Sequence, residues 1–230
     1  LSTESVEVYR GLWFRTFSKS SSAITVCLKQ YRCDTQTSEP DATLPPRLWH
    51  RNILQFFEAT QAPRVIVSEF CSGGSLFDVL QNHACPLAWF QRARILTDVA
   101  SAVDFVHQKE FLVKELTSYH VFLSKPPGQD NLLAKLDINY SGFGCLQTDP
   151  SRVELWRWSA PEVCTESVTP NFDVRSDIFA FGSFLLEMLS RRVPFSDMEE
   201  QAARQCIAKG QRCLIEAEEG CPPRLLNKVY

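Results

Sequence analysis

The hydrophobic period of this chain changes at residues 72–75, and no other feature limits its fold as much. Upstream, apolar and polar residues alternate through Val6, Val8, Trp13 and Phe14. The pattern resumes in Ala23-Ile-Thr-Val-Cys-Leu-Lys29 after a Ser18–Ser22 turn cluster, as expected of half-buried strands. Two further strands are predicted over 53–57 and 64–70, and Ser72-Gly-Gly74 then breaks the pattern. From Ser75 the spacing is helical. Leu76, Val79 and Leu80 mark a short helix. Ile95, Val99, Ala102, Val103 and Val106 predict a long buried helix over 88–107. Short strands are expected at 121–123 and 132–140. A second core helix, apolar nearly all round, is expected from Ile178 to Leu189, with Asp177 capping its start. Strands first and helices afterwards imply an α+β, two-lobed architecture. The smaller lobe would cover residues 1–71 and the larger, helical one 72–230.

At 230 residues and 44% hydrophobic, the chain can bury a sizeable core. The net charge of -3 is spread over interspersed acidic and basic residues, which excludes a nucleic-acid footprint. No apolar run approaches the ~18 residues that would cross a membrane. The nine cysteines are scattered, with no Cys-x-x-Cys pair of the kind that holds zinc. They read as buried, reduced thiols of a cytoplasmic protein. No basic-then-apolar leader follows Leu1, so the chain reads as an excised segment without its own targeting signal.

Several short motifs follow one another in a fixed order. They are Val26-Cys-Leu-Lys29, His50-Arg-Asn52-Ile, Ser68-Glu69-Phe70-Cys71, Ser72-Gly-Gly-Ser-Leu76 and Gly142-Phe143-Gly144. Trp158-Ser-Ala160-Pro161-Glu162 and Ser176-Asp177-Ile-Phe-Ala-Phe-Gly182 complete the series. Singly each is weak. Together they resemble the protein kinase catalytic domain from end to end, with a tyrosine-kinase-like flavour in Gly210-Gln-Arg-Cys-Leu214 and Gly220-Cys-Pro-Pro223. The resemblance implies that Lys29 grips nucleotide phosphates, that Ser68 is the gatekeeper, and that Glu69 and Cys71 belong to the hinge along the adenine. Phe143, Gly144, Ala160, Pro161, Glu162, Asp177 and Gly182 would be structural. It also implies that the C-terminal helices of the domain are truncated at Tyr230.

The same resemblance locates the chemistry, and there the residues depart from the pattern. Phosphoryl transfer requires a glycine cradle, a metal held by an aspartate and an asparagine, and an aspartate beside the attacking hydroxyl. The cradle glycines fall on Leu1, Thr3 and Val6. The catalytic loop reads Val113-Lys114-Glu115-Leu116-Thr-Ser-Tyr-His120, which puts Glu115 at the base position and His120 at the asparagine position. Gly142 stands where the metal-binding aspartate belongs. The helical glutamate expected to meet the strand lysine falls on Asp41, inside a proline-interrupted stretch. Only 20 residues separate Lys29 from His50, so the regulatory helix is short or missing.

The expectation is therefore a catalytically inactive, kinase-like scaffold or allosteric regulator, not an enzyme. It would have no catalytic or metal residues of its own and would require no cofactor. A remnant pocket at Lys29, Glu69 and Cys71 would admit ATP without magnesium. Its partners would be proteins, an active kinase among them. The competing expectation is a weakly active, atypical protein kinase with Glu115 as base, Lys29 as phosphate clamp and Asp137 as substitute metal ligand. A third is a truncated relative without function.

Overall fold

The computed structural model describes residues 5–17, 20–32, 48–61, 64–138, 155–165, 172–213 and 216–223. Two long strands, β1 (Ser5–Phe17) and β2 (Ser20–Arg32), pair antiparallel in one register, Val8 facing Lys29. β3 (Phe56–Gln61) and β4 (Arg64–Glu69) form the next hairpin, and the sheet runs β1-β2-β4-β3. The expected strand at 53–57 thus begins three residues later. Ile53 and Leu54 instead reach the helical part: Ile53 bridges Leu136, and the Leu54 N–H donates to the Leu136 carbonyl at 2.8 Å. Both side chains are buried there.

Past Ser72-Gly-Gly74 the chain turns helical because two glycines permit the turn. Gly74 sits at φ +73, and a Cβ on Gly73 would lie 2.2 Å from the Lys125 carbonyl oxygen. Helix α1 (Leu76–Gln81) starts at Ser75, whose hydroxyl accepts from the Asp78 N–H. Helix α2 (Trp89–Gln108) buries Ile95, Val99, Ala102, Val103 and Val106 as their spacing predicts. β5 (Val121–Leu123) and β6 (Ala134–Leu136) form a small antiparallel ribbon, shorter than the expected 132–140.

Helices α3 (Pro161–Thr165), α4 (Val174–Ser190) and α5 (Glu200–Ala208) follow. The N-cap of α4 is Asp173 in a reciprocal box with Ser176, not Asp177. The helix ends at Arg191, a left-handed residue at φ 55. Its guanidinium donates to the carbonyls of Val79, Leu80, Asn82 and Cys85, satisfying the end of α1. The main core joins α1, α2, β5, β6 and α4 through Leu76, Ile95, Val106, Leu123, Leu136 and Phe184. Each such side chain stabilises the fold by roughly 1.5–3 kcal/mol. No described helix is long and apolar enough to cross a membrane. All seven described cysteines are free thiols, partly exposed rather than buried.

Candidate active site

The site forms where the sheet meets the β5–β6 ribbon. Cys27 and Lys29 alternate onto one face of β2, and Ser68 of β4 pairs directly with Cys27. Lys29 reaches across to the residue that follows β6: its Nζ lies 2.9 Å from Asp137 Oδ2, with both side chains about three-quarters buried. The register fixes this pair. Leu136 is held on both sides by Asn52 and Leu54, and the Asn52 amide donates to the Ala134 carbonyl at 3.0 Å. Asp137 is consequently the first side chain past the strand. Burial pushes its carboxyl up, but the Lys29 charge and hydrogen bond, with His120, more than offset that and hold it below the usual carboxylate range. The Phe122 ring lies under Lys29, 5.4 Å from Nζ.

The segment resembling a catalytic loop is shaped by Asp177. This fully buried carboxylate accepts from the Val113 N–H at 2.8 Å, the Lys114 N–H at 2.7 Å and His107 Nε2 at 2.8 Å. It holds a three-residue turn in which the Glu115 N–H donates to the Val113 carbonyl at 2.9 Å and Lys114 adopts φ 68. Such turns are strained and persist only where neighbours over-determine them. Two backbone donors on one carboxylate do so here. His120 follows in a 3₁₀ turn, its Nδ1 2.7 Å from the Glu115 carbonyl oxygen. The Asp137 N–H donates to the His120 carbonyl at 2.7 Å, which ties the loop to the acid that meets Lys29.

The other predicted residues are placed as follows. Ser68 is buried, and its hydroxyl has no hydrogen-bond partner among the described residues. Glu69 turns away to Lys135 at 2.8 Å, and its N–H is committed to the Gln55 carbonyl. The Cys71 carbonyl accepts from the Gly74 N–H; burial, then the Glu69 charge, push its thiol up to about 12. Ala160 and Trp158 are buried, and Pro161 and Glu162 open α3. A Cβ at Gly182 would meet open space, so close packing does not require that glycine. Gly142, Phe143 and Gly144, with Asp41, Leu1 and Thr3, lie outside the described residues.

Sequence reasoning missed Glu187. It lies fully buried on α4, accepting from Ser118 Oγ at 2.6 Å and Trp158 Nε1 at 2.8 Å. It joins the 3₁₀ turn of the loop to the Trp-Ser-Ala-Pro-Glu segment. A glutamate inside an otherwise apolar helical run was the available signal.

The fold and these motifs define a kinase-type catalytic domain, and comparison with known proteins agrees. The family model "Protein tyrosine and serine/threonine kinase" matches residues 2–229, and the chain belongs to that family. It is 30% identical, over 79% of its length, to "Probable serine/threonine-protein kinase kinX" of Dictyostelium discoideum, and covers 16% of that protein. It is 26% identical to "Serine/threonine-protein kinase STY17" and 27% identical to "Serine/threonine-protein kinase STY46", both of Arabidopsis thaliana. Those matches cover 92% and 90% of the chain and 36% of each relative. The chain thus spans about a sixth to about a third of these relatives.

These kinase relatives overturn the expectation of a non-enzyme. That expectation assigned the metal position to Gly142 by motif spacing alone. The carboxylate that meets Lys29 belongs to Asp137, on a backbone position that the β5–β6 register secures.

Proposed function

We propose that the chain is the catalytic region of an atypical protein kinase that transfers the γ-phosphoryl group of ATP to a serine or threonine hydroxyl of a protein. The observation that carries this reading is the Lys29–Asp137 pair at 2.9 Å, a phosphate clamp beside a carboxylate at the sheet–ribbon junction. A magnesium ion takes one or two carboxylates and completes its shell with substrate phosphates and water. Asp137, kept ionised by Lys29, fits that requirement, and a bound ion would neutralise charge on the phosphates.

The chain's own groups account for the rest of the transfer. Lys29 orients the phosphates electrostatically. The Glu115 carboxylate, held by the Asp177-braced turn, takes the proton of the attacking hydroxyl. As that oxygen bonds to the γ-phosphorus, the bond to the β–γ bridging oxygen breaks and ADP leaves. General-base assistance of this kind contributes roughly 10²–10⁴-fold.

The test is phosphate transfer from radiolabelled ATP to a mixed Ser/Thr peptide library by the wild type, Lys29→Met, Asp137→Asn and Glu115→Gln. Transfer lost in all three variants supports the reading. Transfer indifferent to Lys29 and Asp137, or no transfer alongside no nucleotide-dependent thermal shift, rejects it.

A further inference from the structure

We infer that the Ser68 hydroxyl accepts a hydrogen bond from the exocyclic amine of the nucleotide's base, which makes Ser68 a base-positioning residue of this site. The inference rests on the kinase reading above and deepens it by fixing where the base lies.

The argument begins with an unmet hydrogen bond. Ser68 is 5% exposed. Among the described residues its Oγ is the one buried side-chain nitrogen or oxygen without a hydrogen-bond partner. Leaving such a group unmet is costly, and a ligand that supplies the partner recovers the loss.

The sheet register says which way Ser68 points. It stands directly opposite Cys27 on β2 and Phe56 on β3, and residues opposite one another in an antiparallel pair share a face. Alternation puts Lys29, two residues on from Cys27, on that face as well. Val26 and Leu28 take the other face, where both would touch a Cβ at Gly11. Ser68 therefore lies on the same side of the sheet as the lysine that reaches Asp137. Cys27 and Phe56 offer it only a weakly bonding thiol and a hydrocarbon ring.

The ligand group follows from this placement. ATP with its phosphates on Lys29 must extend its base along the same face, and the orphan hydroxyl fixes the direction. Cys27, with Ser68 beside it, lies about 7 Å from Lys29 along β2. Phe122, on the ribbon under Lys29, gives the base an aromatic ring to stack on. A base turned toward Ser68 brings its 6-amino donor to a hydroxyl oxygen with two lone pairs. The adjacent Glu69 side chain does not compete for that amine, because it turns to Lys135 at 2.8 Å.

The experiment is a ligand-and-residue double cycle by calorimetry. It compares the non-hydrolysable imido analogue of ATP with the same compound lacking its 6-amino group, each with magnesium, on wild type and Ser68→Ala. Loss of the amine should weaken binding about two- to tenfold more in wild type than in Ser68→Ala, the worth of one hydrogen bond. The unliganded variant should melt no lower than wild type, because alanine leaves no polar atom unmet. A purely structural serine would change the melting temperature and leave the two affinity ratios equal. Equal ratios, or a variant that melts below wild type, overturn the inference and leave the kinase reading standing. Wild type that binds neither compound overturns both.

Discussion

Glu187 offers a sharp test of the physical reading, because its charge has nothing but neutral donors to face. Ser118 and Trp158 each give it one hydrogen bond. Burial is the dominant influence and raises its pKa from 4.5 to about 7, with the two hydrogen bonds working in the opposite direction. At 1.36 kcal/mol per unit, carrying the charge costs the folded state about 3 kcal/mol. The sign follows from linkage. Below pH 4.5 the group is neutral folded and unfolded, and there is no penalty. Between pH 4.5 and about 7 the unfolded chain ionises while the folded one stays protonated, so stability falls. Above pH 7 the full penalty applies. Glu187→Gln removes the charge and keeps both contacts, since its carbonyl can accept from Trp158 and its amide can donate to Ser118 Oγ. Urea unfolding of both proteins, followed by tryptophan fluorescence at pH 4.5 and pH 8, isolates this group, because every other titration cancels in the difference. The variant should match wild type at pH 4.5 and exceed it by up to about 3 kcal/mol at pH 8, some 6–12 °C in melting temperature for a domain of this size. A pH-independent difference, or a variant less stable at pH 8, would refute the reasoning.

Other expectations follow from the same structure. Lys29→Met should destabilise the fold at pH 7, because it removes what holds the Asp137 pKa down and leaves burial to raise it. A depressed carboxylate contributes above its unfolded pKa and loses that contribution as pH falls through the folded value. The variant's deficit should therefore shrink toward pH 3 in denaturant titrations. Arg191→Ala strands the carbonyls of Val79, Leu80 and Cys85, that of Asn82 keeping the Cys85 N–H, and should cost at least about 3 kcal/mol by urea unfolding. Gly73→Ala would place a Cβ 2.2 Å from the Lys125 carbonyl oxygen; calorimetric melting should show a loss of at least about 2 kcal/mol. Asp177→Asn puts an amide where three donors converge. It should release the Lys114 turn and lower phosphate transfer while binding of the ATP analogue persists.

The architecture was legible because two periods, with a glycine pair between them, dictate where strands give way to helices. Ile95 through Val106 fall on the buried face their spacing predicts. The site was less legible, because the position of Asp137 depends on sheet register and not on a motif. Counting back from Phe143 leads to Gly142, while the bonds of Leu136 to Asn52 and Leu54 deliver Asp137 to Lys29. Asp177 shows the complementary error. Placed at a helix start, a carboxylate reads as a cap. The Asp173-x-x-Ser176 box three residues earlier takes that role and frees Asp177 to brace the loop. Helix α4 buries Ala180, Phe184, Met188 and Leu189 while Val174 and Ile178 stay exposed, so an acid on its buried face must find donors or lose its charge. Its two buried acids meet that demand differently: Asp177 gathers two backbone N–H groups and His107, and Glu187 has only a hydroxyl and an indole. An acid inside an apolar helical run therefore marks where the helix holds the loops that carry the site.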